Sequence, residues 1–327
     1  MTTHARWICC FAASLLLLSG LSCAGPEEVP DPPPPVAKPT PAPTPRPAPK
    51  PEPPPAPEEP PPPACPEGMV YVETDYCTEV RDTCLEKTSM GYPRGCVEYS
   101  TDRQCVGEMR HLRFCIDAHE YPNTPGEYPP VVLDAFDASA MCREQGKRLC
   151  WESEWTAACE GAQRTPFPYG YKRDPNTCNI DNKPRNFDPK AMRSSNKAVQ
   201  DAELNKITQH HPIGADPECK SDFGVYNMTG NVEEWIFLER PRGACTWAGT
   251  KGGHWLKVRN ACRPTGVAHN EPWTFYVLSL RCCSDPDPEA LEPYTPDAGA
   301  PALWTPPKAP VVPAPDGRVD RGWVKGK

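Results

Sequence analysis

Two short stretches hold most of the side chains equipped for chemistry: TKGGHWLKVRNACR at 250–263 and NMTGNVEEW at 227–235. In the first, paired glycines let a backbone come close to a partner. His254 supplies an imidazole there, and Cys262 lies eight residues beyond it. In the second, Glu233 and Glu234 are adjacent, so on a strand they face opposite sides and form no catalytic carboxylate pair. Asn227, the carbonyls around Gly230 and Val232, and Glu234 are hard oxygen donors within one tight turn, a set that suits calcium. Asn-Met-Thr at 227–229 is also a glycosylation sequon, which an exported bacterial protein leaves bare. His210 and His211 are consecutive, which suits a loop better than shared ligation. His119 and His269 are likewise read as structural or solvated.

The elements that must position these residues lie within 65–284. DAFDASAMCREQG (134–146) reads as a helix capped by Asp134 and stopped by Gly146, with Ala138, Met141 and Cys142 forming its apolar stripe. A second helix is expected from about Ser153 to Glu160. Short strands are expected at GMVYV (68–72), HLRFCID (111–117), FGVYNM (223–228), VEEWIF (232–237), TKGGHW (250–255) and YVLSLRCC (276–283), with loops between. Fifteen of the 18 cysteines fall in this region, six of them between Cys65 and Cys115, and no pair has C-x-x-C spacing. In an exported chain that density indicates a disulfide framework. An odd count leaves one thiol free or bonded between chains. Cys282 and Cys283, being adjacent, are expected to bond to different partners.

Both ends differ from this middle. Residues 1–22 carry Arg6 and an apolar run from Trp7 to Leu18, too short to span a bilayer and ending in small residues, so they read as an export signal. Gly20-Leu21-Ser22-Cys23 resembles a bacterial lipobox, with Cys23 the lipidated first residue of the mature protein, although Gly20 stands where leucine is usual. The rival is an ordinary signal cleaved after Ala24. From Pro26 to Ala64 there are 21 prolines in 39 positions. Residues 23–64 are therefore expected to be a polyproline II stalk with a reach of roughly 120 Å. Residues 285–327, rich in proline and alanine, are expected to be a disordered tail. The net charge of −8, with no basic patch interleaved with aromatics, excludes nucleic acid as a partner.

The order of several segments carries a resemblance. GKRLCWESEWTAACEG (146–161), PYG (168–170), CNI (178–180), HPIG (211–214), FGVYNMTGNVEEW (223–235), KGGHW (251–255), RNACR (259–263) and LRCC (280–283) resemble, in sequence, the signature stretches of the formylglycine-generating enzyme (sulfatase-modifying factor) family. GMVYV and FCIDAHEYPN (114–123) resemble its opening strand and the segment that follows. The resemblance covers about 66–284 and implies an irregular, C-type-lectin-like α+β fold.

The same resemblance implies two structural calcium sites. One uses positions matching Asn227, Gly230, Val232 and Glu234, the middle two through backbone carbonyls. The other uses Asn179 and Ile180 with a downstream aspartate, for which Asp201 is the candidate. It also implies what is missing. Members that oxidise a substrate cysteine carry two cysteines just beyond a Gly-Gly-Ser segment, whose thiolates bind copper(I). Here the first falls at about Leu256 or Lys257, and the loop bearing the second has been shortened away. Cys262 lies instead in the following strand, where a disulfide is the expected role. The serine after the glycine pair is His254, the tryptophan of the family's G-N-x-W-E-W is Glu233, and an expected asparagine is Gly266. Copper is therefore not expected. In the family geometry Glu233 and His254 would sit together in the vacated groove, as a metal-holding or acid-base pair or as a charged hydrogen bond filling space.

The reading that results is a lipid-anchored protein of the bacterial envelope, at the outer membrane, with a disulfide-stapled, calcium-stabilised domain. It would serve as a non-catalytic module for an unidentified protein, peptide or glycan ligand. Two alternatives stand beside it. One is an oxidase or other modifying enzyme with a rearranged site, for which Cys262 would be the reactive thiol. The other is a structural envelope protein.

Overall fold

The computed structural model describes residues 64–87, 95–310 and 312, all within one unit, Glu59–Lys327. The export signal, Cys23 and the proline-rich stalk lie outside the described residues. In chain order come strands β1 (Met69–Cys77), β2 (Val80–Arg81), β3 (Cys84–Lys87), β4 (Cys96–Tyr99), β5 (Gln104–Cys105) and β6 (Met109–Asp117). Helix α1 (Ala135–Glu144), strand β7 (Arg148–Leu149) and helices α2 (Glu152–Glu160), α3 (Pro189–Met192) and α4 (Lys197–Ile207) follow. Strands β8 (Glu233–Phe237), β9 (Ala248–Lys251), β10 (Leu278–Leu280) and β11 (Cys282–Ser284) complete the set. The chain is α+β with few regular elements, and none of the described helices is long and apolar enough to cross a membrane.

Two sheets organise the core, with strand orders β1-β6-β11-β7 and β10-β8-β9. β1 and β6 pair antiparallel from Met69 opposite Asp117 to Cys77 opposite Met109. Strand alternation sends Val72, Leu112, Phe114 and Ile116 inward, where they pack with Trp155 of α2 and with Ile236. β8 is buried along its whole length. Ile236 enters this first cluster while Trp235 and Phe237 enter a second, around Leu133, Trp151, Trp255 and Leu280. The alternation places Glu233 with Trp235 and Glu234 with Ile236, on opposite faces.

α1 is capped as its sequence indicates: Asp134 accepts from the Asp137 amide at 2.9 Å, and Gly146 turns the chain away with φ +70°. The rest corrects several expectations. Residues 197–207, read as loop, form α4, capped by Asn196 and seated through Leu204 and Ile207 on Val132, Met192 and Tyr276. FGVYNM (223–228) is no strand: Ser221 and Val225 close a tight turn, and Asn227 has φ +53°. YVLSLRCC (276–283) divides into β10 and β11, which join different sheets, with Arg281 at the crossing.

The first part of the stretch expected to be a disordered tail is also placed. β11 covers only Cys115 and Ile116 on one side of β6. Further along β6, the His111 amide donates to Ala302 and its carbonyl accepts from Trp304, while Tyr294 stacks on the imidazole at 4.0 Å. Residues 285–310 thus satisfy backbone groups that a short neighbouring strand leaves open.

Seven disulfides staple the domain: Cys65–Cys115, Cys77–Cys105, Cys84–Cys96, Cys142–Cys282, Cys150–Cys283, Cys159–Cys262 and Cys178–Cys219. Each contributes about 2–4 kcal/mol in the usual case. The adjacent Cys282 and Cys283 bond to different partners, and Cys245 is the free thiol among the described residues.

Candidate functional site

The β10–β11 crossing fixes the centre of the molecule. Arg281 donates to Glu234 through Nε (3.1 Å to Oε1, 2.8 Å to Oε2) and through Nη2 (2.8 Å to Oε1), and the Trp155 indole donates to Oε2 at 2.7 Å. The remaining Arg281 donors reach the carbonyls of Asp117, Ala118 and Tyr226. Every oxygen of the buried carboxylate is thereby engaged, which is what a buried ion pair needs to offset its desolvation.

Beside it runs the 227–232 turn. Gly230 has φ +90°, and a Cβ there would lie 2.5 Å from the Asn179 carbonyl and 2.4 Å from the Ile180 side chain, so only glycine fits. The Asn231 amide oxygen accepts from Asn179 Nδ2 (3.0 Å) and the His211 amide (2.7 Å), and its nitrogen donates to Glu120 (2.9 Å). Asn227 donates to the other Glu120 oxygen at 3.4 Å, while Asn227 Oδ1 is buried without a partner. Burial pushes the Glu120 carboxyl up to about 7.

The turn therefore brings Asn179, Ile180, Asn227 and Gly230 together. Asp201 lies on α4, where its carboxylate receives Lys197 Nζ at 2.8 Å. The orphaned Asn227 oxygen fits a calcium ligand. Glu234 fits less well, because Arg281 already neutralises it. Glu120, with no ion-pair partner among the described residues, is the other buried carboxyl at the turn.

On the opposite face of β8 lie Glu233 and, from the loop after β9, His254, both buried. Glu233 Oε1 accepts from Thr250 Oγ1 (2.6 Å) and Arg259 Nη2 (2.7 Å). Gly266 packs tightly there, where an added Cβ would be 2.2 Å from Thr250 Oγ1. His254 is 7% exposed, and its Nδ1 accepts from the Leu256 amide at 3.3 Å. Burial holds its imidazole down to about 4, against the opposing pull of the Glu233 charge, so it is neutral at pH 7. No hydrogen bond joins Glu233 to His254 among the described residues, and no cluster of three or more His, Cys, Asp or Glu side chains there could hold a metal.

The thiols complete the picture. Cys262 is bonded to Cys159 and so cannot serve as a reactive thiol. Cys245 is buried, donates to the His269 carbonyl at 3.0 Å, and its thiol is pushed up to about 11, chiefly by burial. With Leu256 or Lys257 at the first soft-ligand position, the loop bearing the second shortened away and Cys262 in a disulfide, the residues here do not fit copper(I).

The other histidines divide between packing and the surface. His119 stacks on Tyr226 at 4.5 Å, and His211 pairs with Asp216 at 3.0 Å. His269 stacks on Trp273, while His210 is buried between Tyr128 and Trp255. Sequence reasoning passed over three buried charges: Glu120, Arg281 and Lys251. Lys251 lies over the Trp155 ring at 5.2 Å, and burial holds its ammonium down to about 8. The signal for the first two was their place in the FCIDAHEYPN and LRCC stretches; Lys251 gave none beyond preceding the glycine pair.

Residues 93–277 match the model of the sulfatase-modifying factor enzyme 1-like domain. Among similar proteins, the bovine (Bos taurus) inactive C-alpha-formylglycine-generating enzyme 2 is 28% identical over 165 residues, covering 48% of this chain and 50% of that protein. The mouse (Mus musculus) formylglycine-generating enzyme is 33% identical over 181 residues, covering 50% and 46% respectively. The chain thus spans about half the length of these curated relatives. Among solved structures, PvdO from Pseudomonas aeruginosa aligns with a TM-score of 0.38 and 14% identity, covering 66% of this chain and 94% of that one.

Proposed function

The chain belongs to the sulfatase-modifying factor enzyme 1-like family, and from that premise we propose that it is a non-catalytic member, an envelope-anchored binding module. One observation carries this reading: no free thiol among the described residues lies near Glu233 and His254, since Cys262 is bonded to Cys159, the first sulfur position of the family falls at Leu256 or Lys257, and the loop bearing the second is shortened away. The relatives the chain resembles include inactive members of the family beside active ones. In this reading Cys23 carries the lipid, the proline-rich segment spaces the domain from the outer membrane, and the domain presents a ligand surface.

Calcium belongs to the same proposal. Asn227 Oδ1 and the carbonyls of Gly230 and Val232 would hold it, with Glu120 and Glu234 as the neighbouring anions. Its role would be to fix the turn and satisfy the orphaned amide oxygen.

The test is direct. The purified chain, supplied with copper(I) and oxygen, is incubated with a cysteine-containing peptide of the sulfatase type and analysed by mass spectrometry. Cysteine is expected to remain cysteine, and conversion to formylglycine would overturn the reading. Fractionation of cells expressing Cys23→Ser tests the anchor: the variant should leave the membrane fraction that holds the parent.

A further inference from the structure

A cavity of about 740 Å³ opens between the 163–171 and 218–226 loops. None of Glu233, His254, Cys262 or the turn residues lines it. Three tyrosines, Tyr169, Tyr171 and Tyr226, line it together with Ser221, Lys220 and Asp222. We propose that this cavity is a carbohydrate site that takes an uncharged, disaccharide-sized sugar.

The walls are built in advance of any ligand. Tyr169 is stacked on the fully buried Phe167 (5.6 Å, 11° between planes) and packs on the Cys178–Cys219 disulfide. Cys219 leads directly into Lys220 and Ser221, so one disulfide cluster braces both loops. Tyr226 is stacked on His119 (4.5 Å, 15°), and its carbonyl is gripped by Arg281. Two rings thus have one face covered and their positions fixed, which lowers the ordering cost of binding.

The chemistry of the lining selects the ligand. The volume lies within the ~300–1,000 Å³ typical of small-molecule sites. Ser221 is 4% exposed and its hydroxyl has no hydrogen-bond partner among the described residues, which leaves it available to a polar ligand atom at the cavity wall. The Tyr169 hydroxyl accepts from the Asp174 amide at 3.2 Å, and burial pushes the phenol up to about 12, so its proton remains for donation.

A sugar ring offers what this combination needs: a C–H face for phenol rings and hydroxyls for Ser221 and the exposed Asp222 carboxylate. A quaternary ammonium would suit the rings and carboxylates, yet it has no hydrogen-bonding group for Ser221. An anionic ligand meets one lysine, Lys220, against two carboxylates, Glu218 and Asp222.

The test titrates the full chain with N,N′-diacetylchitobiose, cellobiose, maltose and lactose by calorimetry and saturation-transfer NMR, with tetramethylammonium, which has no hydroxyl, as the cationic comparison. At least one disaccharide should bind. Tyr171→Ala should weaken that binding about tenfold, through loss of ring contact. Ser221→Ala should weaken it too, while raising the melting temperature of the unliganded chain by removing an unsatisfied hydroxyl. The proposal fails if no disaccharide binds at millimolar concentration, if binding survives both substitutions unchanged, or if tetramethylammonium binds through Tyr171 and the sugars do not. It rests on the binding-module reading only in naming that module's ligand. Failed sugar binding would leave the absence of oxidase activity standing, whereas copper-dependent turnover would overturn that reading without touching the cavity.

Discussion

Arg281 closes on both oxygens of Glu234 from the point where the chain passes from one sheet to the other, and neither side chain reaches solvent. The pair joins the crossing to β8, while the other Arg281 donors hold the C-terminal end of β6 and the Tyr226 loop. Removing one partner leaves an uncompensated buried charge. Arg281→Met should therefore destabilise the domain by about 3–5 kcal/mol, measured by urea unfolding with disulfides intact. The double variant Arg281→Met, Glu234→Gln should recover part of that loss, because both charges are then gone. A double variant no more stable than Arg281→Met alone would show that the carbonyl contacts, rather than the charge, matter most.

Calcium binding at the 227–232 turn has a thermal signature. If the ion fills the vacancy at Asn227 Oδ1, chelation should lower the melting temperature, and saturation at a hundred times Kd should restore about 2.7 kcal/mol. Asn227→Ala should remove the calcium-dependent part of the stability. A melting temperature indifferent to both chelator and calcium would overturn the calcium reading and leave Arg281 as the cation that neutralises Glu234.

Local signals were legible in the sequence and distant ones were not. The Asp134 cap and the Gly146 stop sit within a few residues of α1, so its limits could be read. α4 was missed because only Leu204 and Ile207 of its apolar residues are buried, while Val199 is 42% exposed, leaving no clear stripe. The opposed faces of Glu233 and Glu234 follow from strand alternation alone. The partners of Glu234 do not: Arg281 is 47 residues away and Trp155 is 79. The Asn227–Glu120 contact spans 107 residues. Adjacency indicated that Cys282 and Cys283 must part company, but their pairing with Cys142 and Cys150 depends on how β11 lies beside β7, which no spacing encodes. The contact of 302–304 with β6 was not legible because composition records prolines and not the open backbone groups of His111 that Ala302 and Trp304 satisfy.

His254 gives the groove a pH dependence of defined sign. Its folded value of about 4 lies below the ordinary 6.5, with burial the main cause. Between those values the unfolded chain binds a proton that the folded chain excludes, so stability falls as pH drops from 6.5 towards 4. The limiting contribution is about 3 kcal/mol. His254→Gln cannot take up that proton, and its stability curve should be flatter than the parent's in this window. The measurement is the difference between the two urea midpoints at each pH, in which the shared contributions of other groups cancel. Parallel curves would mean that His254 is protonated or solvated in the folded protein.

Cys245 should behave as a buried thiol and not as a reactive one. Its hydrogen is given to the His269 carbonyl, and burial together with the Glu271 charge pushes the thiol up to about 11, so at pH 8 very little thiolate is present. Iodoacetamide applied to the native chain should leave Cys245 unmodified, and denaturation without reductant should make it the thiol labelled among residues 65–284. Peptide mass spectrometry of the same sample reads the bridges, with Cys159 joined to Cys262 as the diagnostic pair. Native labelling at Cys262 would mean that this bridge is absent and that a thiol stands beside the groove, which would reopen the modifying-enzyme alternative.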